Sequence, residues 1–317
     1  MQMTYPSSVI NIIKEFNISA DKKYGQCFLI DNNALDKIAD SAQIGGEELV
    51  IEIGSGPGNL TARLCSRARY VIAFETDINL FKIYDKYFKG LNVSFKQMDF
   101  LKADLHKLIS DAAAENKIDF ASVRVVANIP YYITSQIIEK LLYSNIKFSG
   151  IYLLIQRDVA DRIAAQPGCG EYGILSVACA LKSKAAIVRK VPGTCFYPVP
   201  EVESALVKLE PFDRFSGSAF NEEIFFAIVK SAFNQRRKVA VSAISNNIER
   251  VGEINRYDAG FLAFLKSRSL KADFSHIFEK LGISKLARAE EISCEGYISI
   301  ARELEAISAS AVRGVNS

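Results

Sequence analysis

The residues with the clearest chemical content run from Val126 to Ser135, Val-Ala-Asn-Ile-Pro-Tyr-Tyr-Ile-Thr-Ser. The apolar run Val123 to Ala127 reads as a buried strand that stops at Asn128. Pro130 cannot donate to a sheet ladder, which puts Asn128, Ile129, Pro130 and Tyr131 at the strand's carboxyl end. Asn128 offers an amide oxygen, Pro130 a carbonyl without an N–H, and Tyr131 an aromatic face. Two acceptors and a ring are the groups needed to hold a flat base that carries an exocyclic NH2. A strand-to-helix turn that merely uses Asn and Pro is the alternative at this point.

A second constellation lies upstream. Val50-Ile51-Glu52-Ile53 runs into Gly54-Ser55-Gly56-Pro57-Gly58-Asn59. Glycines after a first strand let the chain bend tightly and let a ligand approach the backbone. The sixth position of the dinucleotide fingerprint is Asn59 rather than Gly, which counts against a dinucleotide. Glu75 closes the next strand, where a carboxylate can accept from ribose hydroxyls. Asp99 closes the strand after that and could accept from an adenine amino group, with Phe100 as an apolar wall. Singly, each carboxylate is also consistent with a solvated strand end. Four such features at four successive strand ends would face one crevice, because ligands of these sheets bind beyond the carboxyl ends. A ligand with ribose and adenine but no pyrophosphate fits S-adenosylmethionine. Its activated methyl asks the protein mainly to align and desolvate an acceptor.

The elements that must position these residues follow from periodicity. Strands are expected at Leu49 to Ile53, Tyr70 to Phe74, Val93 to Gln97, Val123 to Ala127 and Ile151 to Gln156. Helical spacing occupies residues 7 to 17, Leu60 to Arg67, Leu80 to Tyr87 and Gln136 to Leu142, with a further helix capped by Asp31 or Asn32. Continuous apolar strands between amphipathic segments indicate an α/β domain whose largely parallel sheet is covered on both faces. Ala186 to Val191 and Ser204 to Leu209 flank a proline-rich segment and could form an antiparallel hairpin at one edge. The composition changes around Glu210 to Ser218, and the apolar spacing beyond it is helical only. The expected division is 1–210 and 211–317, with the small polar stretch Ser308 to Ser317 fraying.

The totals narrow the function classes. The chain has 317 residues, 49% of them apolar and 24% charged, as in an ordinary globular protein. No apolar run is long enough for a membrane span, and Met1 to Ile10 lacks the layout of a signal peptide. The six cysteines are scattered without a Cys-x-x-Cys pair, which argues against a metal site or a disulfide framework and for a reducing cytoplasm. Cys27 and Cys195 read as small apolar filling. The net charge of +3 decides nothing, but Lys22, Lys23, Arg236, Arg237 and Lys238 are local clusters able to meet phosphates. The two histidines, His106 and His276, lie away from these motifs, so histidine-based general-base chemistry is not expected.

Together these residues resemble the ribosomal RNA adenine N6,N6-dimethyltransferases over nearly the whole chain. Tyr24-Gly25-Gln26-Cys27-Phe28-Leu29 is similar to the family's amino-terminal signature. Glu52 to Gly58 is similar to its first cofactor motif and Asn128 to Tyr131 to its catalytic motif. Phe196-Tyr197-Pro198-Val199-Pro200-Glu201-Val202-Glu203-Ser204-Ala205 matches a further segment. Phe233 to Lys238 and Arg288 to Ser293 resemble its helical domain. The resemblance is closest to the bacterial small-subunit members, through Gln156 to Arg162, Glu171-Tyr172-Gly173 and the Arg-Ala-Glu-Glu-Ile-Ser run.

It implies a Rossmann-like class I methyltransferase with a mostly parallel seven-stranded sheet and a small all-helical RNA-binding domain at the carboxyl end. It implies cofactor contacts from Cys27, Leu29, Gly54, Gly56, Glu75, Asp99 and Asn128, and catalytic roles for Asn128, Pro130 and Tyr131. Phe196 would stack on the adenine opposite Tyr131. The implied substrate is a pair of adjacent adenosines near the 3′ end of 16S rRNA, in the 30S subunit or its precursor, modified by a monomer. A non-catalytic rRNA-binding assembly factor, a large-subunit rRNA adenine methylase and a DNA adenine methylase are the alternatives. DNA enzymes commonly carry Asp where position 128 is Asn. Two departures stand out: the family usually has Asn at Cys27, and several relatives have Asn at Tyr132. The stretch Val239 to Lys285 is longer than the family requires, which predicts an extra helix or loop.

Overall fold

A computed structural model describes residues 8–18, 27–212 and 220–315. Its strands are β1 (Phe28–Leu29), β2 (Leu49–Ile53), β3 (Tyr70–Glu75), β4 (Val93–Gln97), β5 (Val123–Asn128), β6 (Phe148–Gln156), β7 (Ser183–Val191), β8 (Phe196–Tyr197) and β9 (Ser204–Pro211). Seven of them form one sheet in the order β4-β3-β2-β5-β6-β9-β7, while β1 pairs with β8. β2 to β6 run parallel, and β9 runs antiparallel to both of its neighbours.

Every residue of β2 is buried, as expected of a strand covered on both faces. The sheet grows from β2 toward β3 and β4 on one side and toward β5 and β6 on the other. The crevice between β2 and β5 is therefore the topological switch point of the sheet, where ligands of such folds bind. Gly54 and Asn128 end the two strands that flank it.

The expected hairpin forms, but β9 lies inside the sheet and β7 takes the edge. The two-residue pair β1–β8 and the helices Leu105–Asn116, Arg157–Ala164 and Ile174–Lys182 did not stand out in the periodicity. Ile-Leu-Ser-Val-Ala-Cys-Ala-Leu-Lys has little polar face to mark a helix, because it packs into a core. At the carboxyl end the helix Cys294–Val315 runs past Ser308, where fraying was expected to begin. That stretch contains no proline, and Gly314 comes only one residue before the helix ends.

The chain divides into two compact units. One comprises 1–161 and 183–212, the other 162–182 and 213–317. A single cut at residue 210 thus misplaces Arg162–Lys182, which packs with the helical unit. Tyr172, Val177 and Leu181 join the same core as Phe225, Ile228 and Phe274, and Gly168 N–H donates to Glu290 O at 2.7 Å. The stretch 239–285 supplies the helices Ala240–Asn255, Ala259–Lys266 and Leu270–Lys280 to this unit.

Candidate active site

At the carboxyl ends of β2, β3, β4 and β5 lies a cavity of about 940 Å3. Its lining includes Cys27, Leu29, Gly54, Gly56, Glu75, Asp99, Asn128, Pro130 and Tyr131. All of the expected cofactor positions, and three of the four expected catalytic ones, therefore surround one space.

The glycine turn is shaped by close approach. Gly54 adopts φ +73°, and a Cβ there would stand 3.3 Å from the Asn128 carbonyl oxygen and 3.6 Å from Pro130 Cδ. A larger residue would force the two motifs apart. Glu75 is 7% exposed and accepts from three backbone amides: Gly56 N at 3.0 Å, Thr76 N at 2.7 Å and Asp77 N at 3.0 Å. Thr76 Oγ1 adds a long bond to Oε1 at 3.5 Å, whereas Oε2 accepts only from Gly56 among the described residues, so Oε2 keeps capacity for a ligand hydroxyl. Asp99 caps the short turn Phe100–Lys102 through Leu101 N at 2.9 Å, which orients its carboxylate at the end of β4.

Asn128 is half-buried and its carboxamide makes no hydrogen bond among the described residues. Among the described residues Pro130 O accepts only a long bond, from Ile133 N at 3.4 Å. Both acceptors are thus available to an incoming amine. The Tyr131 phenol lies 2.7 Å from Ser204 Oγ on β9, a residue without solvent exposure. Burial pushes the Tyr131 phenol above its ordinary range despite that hydrogen bond, so the ring stays neutral at physiological pH. Tyr132 is 64% exposed at the rim.

Phe196 departs from its expected role. It is 1% exposed and packs with Leu29, Leu35 and Leu206, and it does not line the cavity. Its position on β8, paired with Leu29 of β1, turns the ring into the core and makes it a support for the amino-terminal segment. Lys22 and Lys23 lie outside the described residues. Arg236 donates to Gly170 O and pairs with Glu290 at 3.6 Å, while Arg237 and Lys238 are exposed in the following turn. Cys27 and Cys195 pack against the core beside β1 and β8. Burial pushes both thiols up, as apolar filling requires.

Two site residues were not singled out from the sequence. Asn59 is 4% exposed and donates its side-chain amide to Leu29 O, tying β1 to the glycine turn. Glu52 is 1% exposed and lines the cavity, and its Oε2 has no partner. Burial pushes its carboxyl up to about 8, with the negative charge of Glu75 adding to the shift. A charged residue inside an otherwise apolar strand was the available signal.

Residues 17–259 match the family model described as ribosomal RNA adenine dimethylase. The chain belongs to that family. A protein of Bacillus mycoides named ribosomal RNA small subunit methyltransferase A is 37% identical over 300 residues, covering 94% of this chain and 96% of the relative. Relatives of the same name and identity occur in Bacillus anthracis. A crystal structure of a dimethyladenosine transferase from Plasmodium falciparum superposes with a TM-score of 0.68 at 25% identity, covering 87% of this chain and 96% of that one. The 23S rRNA methyltransferase ErmE shares the fold, with a TM-score of 0.59 at 23% identity over 88% of this chain and 99% of ErmE.

As a member of the ribosomal RNA adenine dimethylases, this protein is an rRNA adenine dimethyltransferase that uses S-adenosylmethionine. The cavity fits such a cofactor. It combines a glycine turn without Cβ bulk, a carboxylate with spare acceptor capacity and a buried carboxyl oxygen that lacks a partner.

Proposed function

We propose that this dimethylase modifies the small-subunit rRNA, converting two adjacent adenosines near the 3′ end of 16S rRNA to N6,N6-dimethyladenosine within the 30S particle or its precursor. The protein would act as a monomer in the cytoplasm. One observation carries the roles within the site: the Gly54 turn, Glu75, Asp99 and the Asn128–Tyr131 turn open onto the same cavity. The small-subunit assignment is supported by the identity to relatives that carry that name. No helix among the described residues is long and apolar enough to cross a membrane.

When bound, S-adenosylmethionine supplies a methyl group already activated on a sulfonium. Glu75 would hold the ribose hydroxyls, Asp99 the adenine amine of the cofactor, and Gly54, Gly56, Cys27 and Leu29 the remaining surface. The target adenine must leave its stack to reach a closed site. Tyr131 receives its face, a contact worth about 1–3 kcal/mol.

The N6 lone pair of adenine is delocalised into the ring and is a poor nucleophile. Asn128 Oδ1 and Pro130 O accept its two hydrogens, which favours a more tetrahedral nitrogen with its lone pair directed at the methyl. As the new N–C bond forms, the methyl–sulfur bond would break with its electron pair left on sulfur as S-adenosylhomocysteine; the nitrogen becomes acidic and releases a proton to water, so no histidine base is required.

Labelled S-adenosylmethionine incubated with undermethylated 30S particles, followed by nuclease digestion and chromatography, tests this reading. Label is expected in N6,N6-dimethyladenosine from the 3′ region of 16S rRNA. Label confined to 23S rRNA, or RNA binding without transfer, would refute it.

A further inference from the structure

Tyr84 belongs to the helix Phe81–Tyr87 and is 3% exposed, outside the motifs singled out from the sequence. Its phenol oxygen lies 2.5 Å from Gly56 O and 2.9 Å from Ser55 Oγ. A carbonyl oxygen can only accept, so the phenol proton points to Gly56 and the Ser55 hydroxyl donates to the phenol oxygen. The ring stacks on Phe95 of β4, with centroids 3.7 Å apart and planes 7° from parallel, and meets Phe88 edge-on. Phe88 in turn fills the space beside Gly58, where a Cβ would come within 2.7 Å of its ring.

The glycine turn therefore rests on an aromatic stack and is bonded to it. Both peptides of Gly56 are held: the N–H of the Ser55–Gly56 peptide donates to Glu75 Oε2 at 3.0 Å, and the carbonyl of the Gly56–Pro57 peptide accepts from Tyr84. Ser55, Gly56 and Pro57 line the cavity. Rotation of the Gly56–Pro57 peptide, the one Tyr84 holds, would change where the turn presents its carbonyl there.

We propose that Tyr84 is a positioning residue for the cofactor: it fixes the Gly56–Pro57 peptide so that the glycine turn is already in its binding shape before S-adenosylmethionine arrives. This rests on the reading that the cavity holds the cofactor. Preorganisation of a loop raises affinity by removing an ordering cost at binding, so the consequence falls on cofactor affinity and leaves the chemical step alone.

Tyr84→Phe keeps the ring on Phe95 and removes both hydrogen bonds. Titration calorimetry with S-adenosylhomocysteine should show Kd raised about five- to tenfold relative to wild type. The KM for S-adenosylmethionine should rise in parallel, with kcat at saturating cofactor within about twofold of wild type. A role confined to stability would lower the melting temperature and the active fraction without moving Kd. Ser55→Ala, which removes one of the two bonds, should give a smaller rise of about two- to threefold and carries the test if Tyr84→Phe does not fold. Wild-type protein that fails to bind S-adenosylhomocysteine would overturn the cavity assignment and this inference together. Normal wild-type binding with unchanged Kd in the folded variants would overturn the role of Tyr84 alone.

Discussion

Strand β2 has a carboxylate at each end, and the two are treated in opposite ways. Glu48, just before its amino end, accepts from Arg124 at 2.8 and 2.9 Å, from Ser122 Oγ at 2.5 Å, from Ser149 Oγ at 2.8 Å and from Gly45 N at 2.7 Å. Burial works against its charge, but these donors outweigh it and hold the carboxyl down at about 2. Glu52, near the carboxyl end, keeps an oxygen without a partner, and burial raises it to about 8. One end is closed by a satisfied network, whereas the other leaves polar groups unmet. Unsatisfied buried groups persist where function requires them. The contrast therefore marks the carboxyl ends as the working face.

Substitutions at the two ends should separate activity from stability. At the working end, Asn128→Ala removes one of the two acceptors for the amine. Methyl transfer to 30S particles should fall about a hundred- to a thousandfold, the effect of removing one preorganised transition-state contact, while cofactor affinity changes only modestly. Normal turnover in this variant would remove the proposed role of the amide.

At the closed end, Glu48→Ala leaves Arg124 buried without its partner. It should lower unfolding free energy by about 3 kcal/mol, read from urea melts, with kcat and KM of the folded protein unchanged. Glu75→Ala comes next: cofactor affinity should drop about tenfold or more, from lost charged hydrogen bonds, with RNA affinity preserved. Unchanged cofactor binding in a direct titration would contradict the ribose assignment.

The smallest effects concern pH and Tyr131. Glu48 stabilises the fold above its unfolded value near 4.5, and this contribution is lost as pH falls toward about 2. Glu52 has the opposite sign. Its folded form prefers the proton, so the ligand-free protein loses stability as pH rises from about 4.5 toward about 8. Melts across pH should show Glu48→Gln flattening the acidic limb and Glu52→Gln the neutral one; a swapped assignment would break the comparison. Ser204→Ala frees the Tyr131 phenol and should lower methyl transfer only a few-fold, by about 1 kcal/mol.

Much of the working end was legible because strand ends announce themselves. Gly54, Glu75 and Asn128 each follow an apolar run and Asp99 a strand of alternating character, and topology does the rest by placing such ends together. Phe196 was misread because a motif residue's type does not reveal which way a two-residue strand turns its ring. Asn59 and Tyr84 matter through contacts across the fold, and spacing along the chain cannot display those. The segment 162–182 was assigned to the wrong unit for a related reason: its apolar residues find their core among helices that come later in the sequence.

Hydrogen exchange with and without S-adenosylhomocysteine compares the two ends of the sheet in a single experiment. Added protection should fall on residues 54–59, 75–77, 98–101 and 128–133, and the amides at 45–49 and 122–124 should exchange at their ligand-free rates. Protection at the Glu48 end, or divided among strand ends that do not share the cavity, would contradict the placement of cofactor and adenine in one crevice.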